Sequence, residues 1–249
     1  MIRVESTDGI ALVRFERPPA NAIELESAVA LEETLARLEA DAETRAVVLT
    51  GHGEFFSAGL DLKVVPTYGP EQQRTMVMAI NRLLGRLYGL GLPAVAAVNG
   101  HAIAGGLVVV LACDVRIGRD GTYRLGLTET RAAVPYPLAA MTVVTAELAP
   151  AVARRRVLLA RNGTPDDALA EGILDELVAG ESVLARAVEV ARELAALPRL
   201  AYARIKRQLR SRSLERIAQA LASGTDPLLE EWLAPDTAAA AADVLRRPG

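Results

Sequence analysis

Two glycine-rich stretches of this sequence have a residue spacing that suggests chemistry. They read FFSAGLD at residues 55–61 and NGHAIAGGLVVV at residues 99–110, and each follows an apolar, strand-like segment and leads toward a helix. Small side chains at such a bend expose main-chain N–H groups, and the first turn of a helix leaves such donors without partners. Two bends that face each other would hold a developing oxyanion. The alternative is that Gly59, Gly105 and Gly106 only permit tight turns and close helix packing.

The other reactive side chains suggest less. Ser57 has His52 nearby in the sequence, but FFSAG lacks the Gly-x-Ser-x-Gly elbow of a serine hydrolase. His52 and His101 are the only histidines, too few for a convincing metal cluster, so we predict no metal site. The single cysteine, Cys113, lies in an apolar run and is interpreted as a small buried residue.

Alternating strands and helices must position the two bends. The segments on either side of Asp8-Gly9 alternate in the strand manner and predict an opening β-hairpin. Helical periodicity or composition predicts helices over residues 24–40, 71–90 and 105–113, a helix that starts at Pro165, and helices over most of the chain after ILDELV. Strands are predicted at RAVVLTG, PAVAAVNG, DVRI and ILDELV. We place a boundary near Leu197, between a core of residues 1–197 and a C-terminal helical region of residues 198–249, whose alanine run also predicts a helix.

Composition narrows the class of protein. A chain of 249 residues is long enough for one large core, and its net charge of -3 gives no reason to expect nucleic acid as a partner. The first residues, MIRVESTDGIALVRF, lack the apolar core of a secretory signal and the composition of a transit peptide, which predicts a cytoplasmic protein. No apolar run reaches the roughly 18 residues that a membrane-spanning helix needs, so we expect no membrane partner.

The two bends together resemble the paired oxyanion-hole motifs of the crotonase, or enoyl-CoA hydratase/isomerase, superfamily. The resemblance rests on FSAGLDL (residues 56–62) and NGHAIAGGLVVVLACD (99–114), with support from Asn21-Ala22, GLTE (126–129) and GTPDDALAEGILDELV (163–178). It implies an α/β fold, a spiral of ββα units followed by helices that make trimer contacts. It also implies an acyl-CoA thioester substrate, no cofactor beyond the coenzyme A of that substrate, and a homotrimer or a dimer of trimers.

The resemblance further implies which residues act. The family's two oxyanion donors fall on the main-chain N–H groups of Ala58 and Gly105, and losing one such donor typically costs about a hundred- to a thousandfold in rate. The residues that we predict to bind substrate are Ser57, Ala58, Gly59, Leu60, Asp61, Leu62, Gly105, Gly106, Val108 and Tyr136. Asp61 has the alternative role of capping the next helix, and Lys63 of either assisting a phosphate or lying in solvent.

The proton-transfer groups distinguish between reactions of the superfamily. By the resemblance, hydratases of the superfamily use two glutamates. In this sequence the position of the first is occupied by Val108, and the position of the second by Glu129. A single carboxylate suits an isomerase, which moves one proton between two carbons, and an apolar wall would raise the pKa of Glu129 for that task. The residues alone favour the alternative that Glu129 is a carboxylate at a helix start, stabilised by the helix dipole and without a chemical role, and the family resemblance reverses this preference. Tyr136 is either an acid or a packing residue.

We therefore predict an enzyme that stabilises a thioester enolate and shifts a β,γ double bond of an enoyl-CoA to the α,β position. The motifs are similar to those of the mitochondrial-type enoyl-CoA isomerase group, which also has an apolar residue at the position of Val108. Two alternatives stay open. One is a hydratase or another enolate-forming enzyme, and the other is a protein that binds acyl-CoA without turning it over.

Overall fold

The computed structural model describes residues 1–232. Its strands are β1 Ile2–Thr7, β2 Ile10–Phe15, β3 Ala46–Gly51, β4 Phe55–Ser57, β5 Ala94–Val98, β6 His101–Ile103, β7 Val115–Arg119, β8 Leu125–Gly126 and β9 Glu176–Val178. Its α-helices are α1 Leu25–Ala40, α2 Pro70–Tyr88, α3 Gly105–Leu111, α4 Leu138–Glu147, α5 Pro150–Leu159, α6 Pro165–Ala170, α7 Val183–Ala195, α8 Arg199–Leu209, α9 Ser211–Ser223 and α10 Leu229–Trp232. Short 3-10 helices span Val65–Thr67, Glu129–Ala132 and Gly180–Ser182. Across residues 1–232 no helix is long and apolar enough to cross a membrane. The helix predicted for the alanine run lies outside the described residues.

The chain opens with the predicted hairpin. Strands β1 and β2 pair antiparallel with Ile2 opposite Phe15, and the turn between them has Asp8 at φ 53° and Gly9 at φ 77°. Two successive residues with positive φ match the right-handed twist of the strands that they join. The hairpin forms one edge of the large sheet.

Two sheets share the remaining strands. The large sheet has the order β1-β2-β3-β5-β7-β9, and every pair after the hairpin is parallel. The small sheet has the order β4-β6-β8 and is also parallel. A strand of the large sheet is followed by a strand of the small sheet and then by helical structure, and this sequence repeats after β3, β5 and β7. The chain is therefore an α/β spiral of ββα units, which confirms the predicted fold class.

Glycine makes the short connections between the two sheets possible. A Cβ added to Gly100, between β5 and β6, would lie 1.9 Å from the main-chain oxygen of Glu54. No side chain fits there without moving the neighbouring turn. The two phenylalanines before the first bend stabilise the same corner. The Phe56 ring packs edge-on against Phe15 with 5.4 Å between the ring centroids, and the centroid of the Phe55 ring lies 4.7 Å from that of His101.

Helices cover both faces of the large sheet. Along β3, Val47 and Leu49 face the core that contains α1, α2 and α3, whereas Ala46 and Val48 face a second cluster that contains α7. Because both faces are buried, the parallel strands are apolar throughout instead of alternating. This explains why RAVVLTG and PAVAAVNG are apolar runs.

The described part of the C-terminal region, residues 198–232, packs on the core of its own chain. Lys206 on α8 donates to the main-chain oxygen of Leu92 at 3.1 Å and pairs with Asp114 at 2.8 Å. Arg210, between α8 and α9, pairs with the other oxygen of Asp114 at 3.0 Å. All three charged side chains are buried, so each needs its partner. The following helix, α9, lies against α2 and α4.

Among the strands, sequence and structure differ at two places. The strand predicted at ILDELV is limited to β9, because Gly172 at φ 71° ends α6 in a turn that buries Ile173 and Leu174 instead. The short strands β4, β6 and β8 are not predicted, since three residues or fewer give no periodicity to detect.

Candidate active site

A cavity of about 820 Å³ lies where the two bends meet the later helices. Its wall is largely apolar, and Glu129 and Arg131 are the charged side chains among the described residues that line it. The predicted residues that line it are Ala58, Leu60, Leu62, Gly105, Val108, Glu129 and Tyr136. The cavity thus collects side chains from segments more than a hundred residues apart, from Ile23 to Trp232.

The first bend follows β4 and is fixed by hydrogen bonds to residues 20–23. The N–H of Ala58 donates to the main-chain oxygen of Ala20 at 3.0 Å, and the N–H of Gly59 donates to the Ser57 hydroxyl at 3.1 Å. The strand-like bridge between Ile23 and Leu60 uses the carbonyl of Gly59 and the N–H of Asp61. Of the N–H groups of residues 58–61, that of Leu60 alone has no acceptor in the described part of the chain.

This pattern corrects one predicted site residue. The sequence prediction gave Ala58 as the first oxyanion donor, but its N–H is already bonded within the protein and is not available to a ligand. The available donor is the N–H of Leu60, and Leu60 also lines the cavity. The residue between them, Gly59, has φ 77°, and this turn aims the next amide away from the bridge.

The second bend supplies another free main-chain donor. Ala104 adopts φ 50° and donates to the main-chain oxygen of Gly126 at 2.7 Å, after which α3 begins at Gly105. The N–H of Gly105 lies in the first turn, and no described residue accepts it.

The two free donors lie close together. A Cβ added to Gly59 would be 2.9 Å from the Gly105 nitrogen, and one added to Gly105 would be 4.0 Å from the Leu60 nitrogen. The bends are therefore packed backbone to backbone at the cavity wall. An oxygen atom of a ligand placed there has two N–H groups within reach.

Three predicted binding residues shape the bends without lining the cavity. Ser57 is fully buried and donates to the main-chain oxygen of Asn21 at 2.8 Å, so its hydroxyl has no histidine partner and serves a structural role. A Cβ added to Gly106 would lie 2.3 Å from the main-chain oxygen of Ser57, which explains why this position is glycine. Gly59 provides the turn already described. The arrangement gives no support to the serine hydrolase alternative.

Asp61 also lies outside the cavity lining. Its carboxylate pairs with Arg17 at 2.6 Å and accepts the N–H of Lys63 at 2.9 Å. Burial is the largest single influence on Asp61 and opposes its ionisation, but the hydrogen bonds from Arg17 and from main-chain N–H groups, together with the Arg17 charge, outweigh it, so the pKa lies below its ordinary value. The bond to Lys63 lies in the turn before the 3-10 helix at Val65–Thr67, whose N-cap residue is Val64 without a side-chain cap, so Asp61 does not cap that helix. The ion pair fastens the first bend to the segment before α1.

Glu129 begins the 3-10 helix after β8 and is 8% exposed. Burial raises the pKa of its carboxyl group to about 7, although a hydrogen bond from Tyr136 and main-chain N–H groups act in the opposite direction. Such a group is present in both protonation states near neutral pH, so it is suited to accept a proton and to return it. The apolar wall that the sequence analysis expected around Glu129 includes Val108, which is fully buried on α3 and lines the same cavity.

Tyr136 contacts Glu129 directly. Its hydroxyl donates to Oε2 of the carboxylate at 2.5 Å, and the tyrosine is 6% exposed. Burial and the adjacent carboxylate both raise the pKa of Tyr136 above its ordinary value, so it stays protonated. The sequence analysis left its role open between acid and packing, and the structure shows a hydrogen-bond donor to the carboxylate.

Several lining residues were missed by the sequence analysis. Trp232 on α10 reaches the cavity from the C-terminal region, and its indole N–H donates to Gln73 on α2 at 2.6 Å. Thr128, Arg131 and Asn162 are the other polar residues of the wall that were not predicted. A lone tryptophan near a chain end and an arginine beside a glutamate carry no local sign of a shared cavity. The role of Leu60 as a main-chain donor did have a signal in the sequence, because the preceding glycine, Gly59, permits the turn that leaves the next N–H unpaired.

The described residues contain no group of three or more histidine, cysteine, aspartate or glutamate side chains that could hold a metal ion. The parts of this site are instead two main-chain donors, one buried carboxyl group and an apolar cavity. Together with the ββα spiral, they form a site of the kind that can stabilise an oxyanion on a carbonyl compound and move a proton next to it.

Comparison with known proteins gives the family. The family model described as enoyl-CoA hydratase/isomerase matches residues 5–232. The human enoyl-CoA delta isomerase 1, mitochondrial, is 32% identical over 219 residues, which are 87% of this chain and 72% of that protein. A putative enoyl-CoA hydratase of Thermus thermophilus is 36% identical over 199 residues, 78% of each chain. The chain belongs to the enoyl-CoA hydratase/isomerase family, within the crotonase superfamily.

The fold comparison agrees. The crystal structure of human mitochondrial delta3-delta2-enoyl-CoA isomerase superposes with a TM-score of 0.93 at 30% identity, covering 99% of this chain and 97% of that one. This likeness includes the C-terminal helices as well as the spiral. The protein is therefore an enzyme of this family with a crotonase fold, and the relatives include isomerases and hydratases.

Proposed function

We propose that the protein converts β,γ-enoyl-CoA thioesters to their α,β isomers. The observation that carries this proposal is Glu129, the one carboxyl group that residues 1–232 place in the cavity wall, which it shares with Val108 and with the N–H groups of Leu60 and Gly105, for which those residues provide no acceptor. One carboxyl group and one oxyanion site meet the needs of a proton shift between two carbons of the same substrate.

The proposed reaction has two proton transfers. The Glu129 carboxylate removes a proton from the α carbon, and the electrons of that C–H bond move toward the thioester carbonyl, whose oxygen becomes an enolate stabilised by the N–H groups of Leu60 and Gly105. The electrons then return to form the α,β double bond while the β,γ double bond takes the proton from Glu129 at the γ carbon. Protons and electrons balance within the substrate, so coenzyme A is needed only as part of the thioester.

Val108 favours this reaction over hydration. Adding water requires one group to activate the water and one to deliver a proton to carbon, which normally uses two carboxylates. The side chain of Val108 transfers no proton, and Arg131, the other charged group of the described wall, is a permanent cation that cannot act as a base. The names of the two human comparison proteins, both delta isomerases, support the same choice.

The direct experiment follows the conversion of a 3-enoyl-CoA to the 2-enoyl-CoA with purified wild-type protein and with Glu129→Gln. We expect turnover in the wild type and a loss of about 10²- to 10⁴-fold in the variant. Fast hydration of crotonyl-CoA that survives in Glu129→Gln would contradict the assigned roles. Binding of CoA esters without turnover or α-proton exchange in D₂O, across chain lengths, would identify a binding protein instead.

We further propose that the enzyme is a homotrimer or a dimer of trimers. The support is the apolar surface of α8, where Leu200, Ile205 and Leu209 are 69%, 63% and 84% exposed. Ile205 and Leu209 are four residues apart and so lie on one face of α8, and large exposed apolar side chains that share a face are typical of a protein contact surface.

A further inference from the structure

The geometry around Glu129 sets apart its two carboxylate oxygens. Oε2 accepts the Tyr136 hydroxyl at 2.5 Å, whereas Oε1 has no side-chain donor in the described part of the chain. Glu129 and Tyr136 are both buried and both line the cavity. The Tyr136 bond therefore makes the two oxygens different: Oε2 is held by a side chain, and Oε1 is the oxygen without a side-chain donor, while the main-chain N–H groups of Thr128 and Glu129 favour the carboxylate as a whole.

The backbone holds the tyrosine in place. Tyr136 stands between Pro135 and Pro137, and proline fixes its own φ and restricts the residue before it. The loop begins at Ala133, which adopts φ 48°, and the N–H of Val134 donates to the main-chain oxygen of Glu129 at 3.1 Å. The carboxylate and the hydroxyl are thus joined by a closed turn as well as by their side chains.

We propose that Tyr136 is a positioning residue for Glu129: its hydroxyl occupies Oε2, so that Oε1 is the oxygen that exchanges protons with the α and γ carbons of the substrate. This inference rests on the proposed isomerase function and adds to it a residue that selects the reacting oxygen. Tyr136 itself transfers no proton in the reaction.

The hydrogen bond also affects proton affinity. Burial raises the pKa of Glu129 to about 7, and the bond from Tyr136 is the largest effect that lowers it. Loss of the hydroxyl therefore raises the pKa further and leaves less carboxylate at neutral pH. The other titratable side chains on the surrounding elements are Arg131, Glu147, Arg154, Arg155, Arg156 and Asp226. None of these side chains forms an ion pair with Glu129. Arg156, for example, pairs with Glu171, and Glu147 pairs with Arg116.

The test is the pH dependence of kcat/KM for isomerisation in wild type and Tyr136→Phe. We expect the acidic limb of the profile to move upward by about one pH unit in the variant, because a hydrogen bond to a charged group has roughly that effect on its pKa. We also expect kcat to fall by about tenfold while KM changes little, because the freed carboxylate samples unproductive orientations. A role in packing alone would not move the pH profile.

The chain contains a matched control. Tyr123 is also buried, and its hydroxyl has no hydrogen-bond partner among the described residues. Tyr123→Phe should leave the acidic limb and kcat unchanged. If Tyr136→Phe behaves like Tyr123→Phe, or raises KM with the profile unmoved, the positioning role is wrong.

A second measurement does not depend on activity. Carboxyl carbon-13 NMR of glutamate-labelled protein, assigned with Glu129→Gln, should show a higher titration midpoint for Glu129 in Tyr136→Phe. If the variant does not fold, 3-fluorotyrosine at position 136 keeps the side chain in place with a more acidic hydroxyl, and the midpoint should fall. An unmoved midpoint overturns the inference. Absence of turnover and of α-proton exchange in the wild type would instead overturn the proposed function, whatever the NMR shows.

Discussion

Burial of Glu129 has an energetic consequence for the folded protein. The pKa of its carboxyl group is about 7 in the folded state, against an ordinary value of 4.5, so the folded protein holds a proton that the unfolded chain releases at intermediate pH. The stabilising contribution is fully present below the ordinary value and is lost as the pH rises through about 7. The carboxylate is then buried in a mostly apolar cavity, and this ionised form is the one that abstracts the proton in the proposed reaction.

We therefore expect Glu129→Gln to remove a pH-dependent loss of stability. The free energy of unfolding of the wild type should fall between about pH 5 and pH 8 by more than that of the variant, because the glutamine has no proton to lose. Denaturant unfolding of both proteins at the two pH values measures this difference. Equal pH dependence in the two proteins would show that Glu129 titrates normally.

The same pKa predicts the pH dependence of catalysis. In the proposed reaction the free enzyme needs the Glu129 carboxylate to remove the α proton, so kcat/KM should rise with pH and level off above about 7. A profile of initial rates from about pH 5 to pH 9 with a 3-enoyl-CoA substrate tests this. A limb near the ordinary glutamate value would mean that the carboxyl group is hydrated in solution.

The main-chain donors require a main-chain substitution. Replacing the amide of residue 60 by an ester, through a leucine-derived hydroxy acid, removes the N–H without changing the side chain. We expect kcat to fall by about 10²- to 10³-fold with little loss of stability, since this N–H has no acceptor in the described protein.

Position 58 provides the matched control. The same amide-to-ester change at Ala58 removes the bond to the Ala20 oxygen. It should lower the free energy of unfolding by about 0.5–1.5 kcal/mol and affect the rate much less. A larger rate loss at position 58 than at position 60 would restore the donor that the sequence analysis first predicted.

At the scale of elements, one buried carboxylate fastens the C-terminal region to the cavity wall. Asp226 is 3% exposed, and its Oδ2 accepts the Asn81 side chain at 2.7 Å and the N–H of Leu138 at 2.8 Å. It thereby joins α2, the start of α4 and the turn that leads to α10. Trp232 on α10 depends on this turn for its place in the cavity wall.

We expect Asp226→Ala to weaken both stability and substrate binding. The change leaves the buried amide of Asn81 and the N–H of Leu138 without their acceptor, at a cost of about 1–3 kcal/mol each. It should also raise KM for the enoyl-CoA more than it lowers kcat, because Glu129 and the two bends are held by other contacts. Unfolding and steady-state kinetics measure the two effects, and an unchanged KM would mean that α10 is held independently of Asp226.

The elements show how far sequence reasoning reaches. The hairpin, α1, α2, α3 and the long parallel strands follow from turn residues and apolar periodicity, because these signals are local. Strands β4, β6 and β8 are too short for periodicity, so their parallel pairing depends on contacts between distant segments. The buried position of Glu129 was expected from the family resemblance, whereas the residues alone left it as a helix-start carboxylate.

The sequence could not identify the atoms that complete the site. Which N–H is free at the first bend depends on Ala20, which lies almost forty residues earlier, and the bond between Tyr136 and Glu129 depends on the shape of a loop. Trp232 enters the cavity only because the C-terminal region folds back over α2. Such facts belong to tertiary contacts and leave no pattern in a short window of residues.

At the scale of the whole molecule, the surface of α8 predicts self-association. We expect the mass of the purified protein in solution to be three or six times the 26.4 kDa mass of one chain. Light scattering after size-exclusion chromatography measures the mass of the wild type and of a variant with Ile205→Lys and Leu209→Lys, which should be smaller. Arg207→Lys, on the same helix, is the control, because it preserves the charge and should leave the mass unchanged. A monomeric wild type would contradict the proposed assembly.

The division of labour between main chain and side chains also bears on how new activities arise. Under the proposed function, carbonyl polarisation belongs to peptide units, which every sequence compatible with the spiral retains, whereas proton delivery belongs to interchangeable side chains, at position 108 on the helix that follows the second bend and at position 129 after β8. A mutational path can therefore redirect the chemistry one step at a time while substrate activation persists throughout. Combinatorial libraries at positions 108 and 129 would explore neighbouring reactions on an unchanged scaffold.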